Sequence, residues 1–280
     1  MSIKHYGVVG HPIGHTLSPF IHSRLMELAG IEGEYGIYHI TPEEFDTSFK
    51  KLLTEVDGLN ITIPYKQAVI PFLDETDSTA SLYGSVNTIS VSPSGKTCGY
   101  TTDGIGFCNA LKAAGIPIGR NVTVIGCGGV GRVFVNSCLA NGAEHINILE
   151  TESAADRARD FSESINERYG SGTAEVFETQ KFDGESDLLI NASPVGMYPN
   201  IGACPINDTV IGKSAFVFDA VYNPYETLFV KKAKSLGKKA ITGMTMLVYQ
   251  AAAAQTIWNG VSFEAEDINK IAEDCYKKIV

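Results

Sequence analysis

At 280 residues, with 44% hydrophobic and 19% charged side chains, the chain has room for two globular domains with substantial cores. A net charge of −10 and the lack of any Lys/Arg run exclude a nucleic-acid partner, because counterion-release binding needs a basic surface. No stretch approaches ~18 uninterrupted apolar residues, so no membrane partner is expected either.

Short aliphatic runs alternate with helical stretches, which predicts βα units and parallel sheet. Tyr6–Val9 reads as a strand, Pro19–Ala29 as a helix, Tyr35–Ile40 as a strand, Pro42–Leu53 as a helix and Leu59–Ile63 as a strand. Val86–Val91 and Thr97–Thr101 form a predicted hairpin around Ser92-Pro93-Ser94-Gly95. A second series follows: strand Asn121–Ile125, helix Val130–Ala140, strand His145–Glu150, helix Ala154–Tyr169, then strands Leu188–Ala192 and Val217–Ala220. Helix Thr227–Ser235, strand Lys239–Ile241 and helices Met244–Trp258 and Ala265–Lys278 complete the chain. The predicted class is α/β in two domains: an N-terminal α/β domain over residues 1–103, and a Rossmann-type dinucleotide-binding domain over 104–243. Helices within 244–280 return to complete the first domain. The N-terminus lacks the apolar core of a signal peptide. Six scattered cysteines without a C-x-x-C pair suit buried thiols in a reducing cytoplasm, with no metal expected.

Two stretches carry chemistry. In the first, Gly58 to Lys66, alternation puts Asn60 and Thr62 on one strand face and Ile61 and Ile63 on the other. Pro64 cannot donate to a ladder, so the strand stops and Lys66 follows its end. An amide, a hydroxyl and an ammonium together could bind a polyhydroxylated anion; the plainer reading is an edge strand with a solvated lysine.

The second stretch, Gly126-Cys127-Gly128-Gly129-Val130-Gly131, matches G-x-G-x-x-G between a strand and a helix, with Glu150 about twenty residues on. Gly126 permits the tight turn, Gly128 lets the backbone approach a pyrophosphate, and Gly131 allows close helix–strand packing. Glu150 would bind a ribose 2′-hydroxyl and repel a 2′-phosphate, favouring NAD over NADP; Arg132, Arg157 and Arg159 could instead accept that phosphate.

Six separated motifs make the chain resemble the shikimate dehydrogenase family, including its quinate/shikimate relatives. Gly10-His11-Pro12-Ile13-Gly14-His15-Thr16-Leu17-Ser18-Pro19 is similar to G-x-P-x-x-H-S-x-S-P, and Asn60–Lys66 to N-V-T-x-P-x-K. Gly84-Ser85-Val86-Asn87-Thr88 is similar to G-A-V-N-T, and Thr102-Asp103-Gly104 to T-D-G. Asn191–Met197 resembles N-A-T-x-x-G-M, and Gly243–Gln250 resembles G-x-x-M-L-V-x-Q. The resemblance implies NAD(P)-dependent, reversible reduction of 3-dehydroshikimate to shikimate, with residues 1–103 as the substrate-binding catalytic domain. Lys66 and Asp103 would be the catalytic pair, and Thr16, Ser18, Asn60, Thr62, Asn87, Gln250 and Tyr222 would touch substrate. The cofactor set would be Gly126, Gly128, Gly129, Val130, Gly131, Glu150, Ala192 and Gly243.

Plainer roles exist beside these. Thr16 or Ser18 could cap the following helix, with Pro19 at its first turn. Asn87 could close its own turn, Asp103 could start a helix, Gln250 could face solvent, and His11 and His15 read as structural. Thr16 departs from the family's serine, which opens a quinate/shikimate dehydrogenase working with NAD in the oxidative direction. Glu150-Thr151-Glu152 replaces the usual Asn-Arg-Thr, again favouring NAD. A reading from another class is a non-catalytic dinucleotide sensor, against which the Lys66–Asp103 pair speaks. The expected partner is a small molecule, and the expected assembly a monomer or homodimer.

Overall fold

A computed structural model describes residues 3–14 and 16–279; His15, one of the two histidines read as structural, lies outside the described residues. The chain forms two compact units. One comprises the residues up to Gly106 with Val248–Lys277, and the other Phe107–Leu247 with the last residues from Lys278.

The first unit begins β1 (Lys4–Gly10), α1 (Ser18–Ala29), β2 (Gly33–His39), α2 (Phe45–Leu52) and β3 (Gly58–Ile61). It continues with β4 (Glu75–Thr76), α3 (Ser78–Tyr83), β5 (Thr88–Val91) and β6 (Thr97–Tyr100). The six strands make one sheet in the order β2-β1-β3-β5-β6-β4. Strands β1, β2 and β3 are parallel, whereas β5 runs antiparallel to β3 and β6. The hairpin is as predicted, but β3 is interior rather than an edge strand. It also stops at Ile61, short of the predicted Ile63. The Thr62 amide still bonds Val9, after which Tyr65 N closes a turn on Thr62 O, so Ile63 is left 73% exposed. β4 and α3 went unpredicted because two and six residues are too short to display a period.

Phe45, Phe49, Tyr65 and Phe72 form an aromatic cluster in the core on one side of this sheet. The returning helices α9 (Gly243–Asn259) and α10 (Ala265–Ile279) supply further cover from Val248 onward. The chain's one tryptophan, Trp258, stacks on Tyr6 at 4.6 Å and donates its indole N–H to Ile89 O at 2.9 Å. Gly58 lies directly beneath that indole, where a Cβ would overlap the ring.

Between the units' main sequences, α4 (Asp103–Ala113) was unpredicted, its first turns diluted by Gly104 and Gly106. The second unit then runs β7 (Asn121–Ile125), α5 (Gly129–Ala140), β8 (His145–Glu150), α6 (Ala155–Tyr169), β9 (Ala174–Glu178) and β10 (Ser186–Asn191). It ends α7 (Asp208–Gly212), β11 (Ser214–Asp219), α8 (Leu228–Ser235) and β12 (Lys239–Thr242). All six strands are parallel in the order β12-β11-β10-β7-β8-β9. Renumbered within the unit this is 6-5-4-1-2-3, the doubly wound order whose topological switch point falls between the first and fourth strands. Among the described residues no helix is long and apolar enough to cross a membrane.

Gly58→Ala is expected to destabilise the first unit by about 1–3 kcal/mol, the usual cost of overpacking a fixed ring. Thermal melting should show a lower Tm, and Trp258 emission should shift to the red.

Candidate active site

In the first unit the site grows from the ends of three neighbouring strands. β3 carries Asn60 and delivers the chain to Lys66; β5 starts just after Asn87; β6 ends just before Thr102 and Asp103. Two backbone bonds lock these ends together, Val86 N to Lys66 O at 2.8 Å and Asn87 N to Tyr100 O at 3.0 Å. Lys66 Nζ then reaches Asp103 Oδ2 at 2.7 Å, with side chains 21% and 9% exposed. The other carboxylate oxygen, Oδ1, accepts from Asn87 Nδ2 at 2.7 Å. A lysine and an aspartate far apart in sequence therefore meet as one half-buried ion pair.

The two asparagines are oriented by backbone groups, which leave no choice of direction. Asn87 Oδ1 accepts from Thr102 N at 2.7 Å, and an amide N–H can only donate. Hydroxyls of Thr88 and Thr102 crowd the same oxygen at 3.2 and 3.1 Å. With Nδ2 on Asp103, Asn87 retains one N–H for a ligand and no acceptor. Asn60 is the converse. Its Nδ2 donates to Asn87 O at 3.2 Å and Thr88 Oγ1 at 3.1 Å, while Tyr35 donates to its Oδ1 at 2.7 Å. Any further role of Asn60 is as an acceptor through Oδ1, on which the His22 side chain also bears.

Around this pair stand the other expected residues. Thr62 packs against Gly10, where a Cβ would overlap its methyl group. Thr16 Oγ1 accepts from Ser18 N, and its hydroxyl donates to Ser18 Oγ, both at 3.1 Å. Neither side chain caps α1, whose N-cap is Leu17 without a side-chain bond. The capping alternative fails because Ser18 is already the first helical residue and Thr16 folds back on it. Gln250 is not solvent-directed; its Oε1 accepts from Thr102 Oγ1 at 3.4 Å. His11 turns to His39, Nδ1 to Nε2 at 2.7 Å, and takes no part in this network.

Three partners were not singled out in the sequence. Thr88 and Thr102 sit inside motifs already quoted, next to the residues they orient. Tyr35 carried no signal beyond its strand pattern. It is half-buried, and its ring stacks on that of His22 at 4.1 Å. His22 is itself buried, with Nδ1 on Gln255 Nε2 at 3.0 Å and no hydrogen bond to Nε2.

In the second unit the glycine loop joins β7 to α5 at the switch point. Gly126 has φ +96°, and a side chain there would press on Ser193 N and the Ala192 carbonyl carbon. Gly131 lies so close to Gly126 O that no Cβ fits. Gly128 and Gly129, by contrast, face open space, and Gly128 is the N-cap of α5 without any side-chain bond to the helix. An open glycine cradle before a helix end lacking a side-chain cap, with Val130 in the first turn, suits a pyrophosphate. Glu150 ends β8 beside it, Oε1 accepting from Cys127 N at 2.6 Å and Oε2 from Thr151 N at 3.1 Å. Burial pushes the Cys127 thiol up to about 11, opposed by the charges of Arg132 and Arg157. Those two arginines therefore lie near the loop, whereas Arg159 pairs with Asp156 at 2.6 Å. Ala192 continues from β10 with its N–H on Ile125 O at 2.8 Å. Tyr222 is half-buried, and that burial raises the pKa of its hydroxyl. Gly243 abuts the Ala220 backbone, leaving no room for a side chain.

Fold and site together define a two-unit α/β protein of dinucleotide-dependent oxidoreductase type, with a glycine cradle in one unit and a lysine–aspartate pair in the other. The sequence model for the shikimate dehydrogenase substrate binding domain matches residues 8–89. A shikimate dehydrogenase (NADP(+)) from Caldanaerobacter subterraneus is 36% identical over 267 residues, covering 94% of each chain. Its namesake from Streptococcus mutans is 37% identical over 280 residues, covering 96% of each. The shikimate 5-dehydrogenase of Thermus thermophilus, solved with NADP(H) and shikimate, superposes with a TM-score of 0.87 at 30% identity, over 97% of this chain and 99% of that one. The chain belongs to the shikimate dehydrogenase family.

His22 yields a pH prediction. Burial lowers its pKa from the usual 6.5 to about 3, the Asn60 side chain opposing in part. Because the unfolded state alone takes up this proton between those values, stability is full above pH 6.5 and falls as pH drops towards 3. Urea unfolding at stepped pH should give a shallower acid loss for His22→Phe than for the wild type; equal slopes would refute the assignment.

Proposed function

We propose that this chain catalyses the reversible, nicotinamide-dependent reduction of 3-dehydroshikimate to shikimate, with the first unit holding substrate and the second the dinucleotide. The observation that carries the reading is the Lys66–Asp103–Asn87 constellation. When bound, the nicotinamide supplies or accepts the hydride at the carbonyl carbon, and the resulting charge develops on the substrate oxygen.

Lys66 has three N–H donors, of which one is engaged by Asp103. The remaining two, and the one spare N–H of Asn87, are donors borne by neighbours on one carboxylate. They suit an oxygen that gains negative charge, and Lys66 can deliver a proton to it or receive one back. Asp103 holds the ammonium in place. Thr16 and Ser18 hydroxyls suit the ring carboxylate. Asn60 accepts from a ring hydroxyl, and Thr62 and Gln250 complete the contacts within the first unit. A dinucleotide sensor would have no use for this ion pair.

Gly126, Gly128, Gly129, Val130 and Gly131 would hold the pyrophosphate, with Ala192 and Gly243 lining the same end of the sheet. Although the relatives are named for NADP, we assign NAD to this chain. The Glu150 carboxylate, held by two backbone N–H groups, occupies the strand end where a 2′-phosphate would bring further negative charge. Thr16 adds a methyl group where the family carries serine, which favours testing quinate alongside shikimate.

Initial rates with shikimate and quinate, each with NAD and NADP, test the reading. Shikimate with NAD should give the highest kcat/KM, and Lys66→Ala should lower kcat about 10²- to 10⁴-fold with little change in dinucleotide KM. Undiminished turnover in that variant would refute the role of Lys66, and a large NADP preference would overturn the Glu150 argument.

Gly128→Ala separates cofactor binding from folding. A methyl group there meets no protein atom, so Tm should hold. It intrudes where the backbone must approach the pyrophosphate, so dinucleotide KM should rise at least about tenfold.

A further inference from the structure

The groups assigned to the substrate are linked behind the pocket by one phenol. The Tyr35 hydroxyl donates to Asn60 Oδ1 at 2.7 Å, shorter than the 3.1 and 3.2 Å bonds of Asn60 Nδ2. The Ser18 side chain acts on the same phenol oxygen, opposing the rise that burial imposes on its pKa. Ser18 Oγ in turn accepts from the Thr16 hydroxyl. A directional chain of polar groups thus runs from Thr16 through Ser18 and Tyr35 to Asn60, joining the groups assigned to the carboxylate with the group assigned to a ring hydroxyl.

Tyr35 has little freedom to do otherwise. Its ring lies 9° from parallel with that of His22, and His22 is pinned by Gln255, itself held by Asn259 Nδ2 at 2.9 Å. The Asn60 amine is already satisfied by Asn87 and Thr88, so the phenol acts on the amide oxygen alone. What the phenol does is take one lone pair of Oδ1 and so set the direction in which that oxygen accepts.

We propose that Tyr35 is a positioning residue for substrate: it sets the direction in which Asn60 accepts a ring hydroxyl and couples that contact to the Thr16–Ser18 hydroxyls. The inference rests on the shikimate-type reading of the site. The effect on substrate passes through Asn60, whose oxygen the phenol binds.

Tyr35→Phe keeps the ring and its stack on His22 while removing the one donor. The expected result is a rise of about tenfold in shikimate KM, and in its calorimetric Kd, with kcat within about twofold and dinucleotide KM unchanged. Because the effect passes through Asn60, Tyr35→Phe added to Asn60→Ala should cost nothing further in KM, whereas independent sites would add. An unchanged shikimate KM in Tyr35→Phe, or additive losses in the double variant, would overturn the proposal. So would a uniform loss of Tm, kcat and both KM values, which marks a structural role. If the variant fails to fold, Ser18→Ala gives the second reading: its loss of shikimate affinity should shrink in an Asn60→Ala background, and full additivity would overturn the coupling. The wild type is the control for the reading beneath it. Turnover of neither shikimate nor quinate by the wild type would sink the assigned activity, and that outcome is distinct from a wild type that turns over beside an indifferent Tyr35→Phe.

Discussion

A carboxylate as buried as that of Asp103 needs compensation, and it receives it from both sides: an ammonium on one oxygen, an amide N–H on the other. Its place in the first turn of α4 adds the favourable end of the helix dipole. Everything else in the first unit follows from the need to bring these partners together. Lys66 leaves the sheet after β3, Asn87 precedes β5 and Asp103 follows β6, so the three strands must be neighbours. The order β3-β5-β6 makes them so, with β5 antiparallel to both. A fully parallel sheet would separate these chain ends, which is why the hairpin interrupts the βα pattern here.

The second unit solves a different problem with regular means. All its strands run one way, and the point where strand order reverses lies between β7 and β10. Gly126 and Ala192 sit at that point, the glycine at positive φ against the alanine backbone. Nearby, Asp219 at the end of β11 accepts from Asn191 Nδ2, Val221 N and the Thr227 hydroxyl, while burial pushes its carboxyl up to about 6. These bonds tie the ends of β10 and β11 to the residues that follow, so the sheet edge beside the glycine loop is braced.

How much of this is legible in sequence depends on range. The glycine loop reads well because its constraints are local: a turn, a close approach and a helix start within six residues. Asn60 and Thr62 are visible as a polar strand face with Lys66 past its end, although the strand ends at Ile61 and Thr62 belongs to the turn. The Lys66–Asp103 bond was accessible only through family resemblance, because no spacing rule joins residues 37 apart. Tyr35 and His22 were invisible. Neither belongs to a motif, and their role depends on a stack across two elements plus Gln255 from α9.

The allotment of donors and acceptors is what gives the first unit chemical character, and it originates in the main chain. Thr102 N forces the Asn87 oxygen inwards, and Asn87 O forces the Asn60 amine inwards. One amide therefore presents a donor and the other an acceptor whatever side chains surround them. A ligand oxygen beside Lys66 and Asn87 meets donors alone, which suits a carbonyl becoming an alkoxide; a group beside Asn60 must bring a hydrogen, which suits a hydroxyl. Ketone at one end and hydroxyl at the other is the pattern of a ring that is part-way between polyol and keto acid. The substitution of Thr16 for serine leaves this polarity intact, because a threonine keeps the hydroxyl and the backbone keeps the rest. On the proposed reading, variation at position 16 adjusts which hydroxylated acid fits without altering which of its carbonyl groups is reduced.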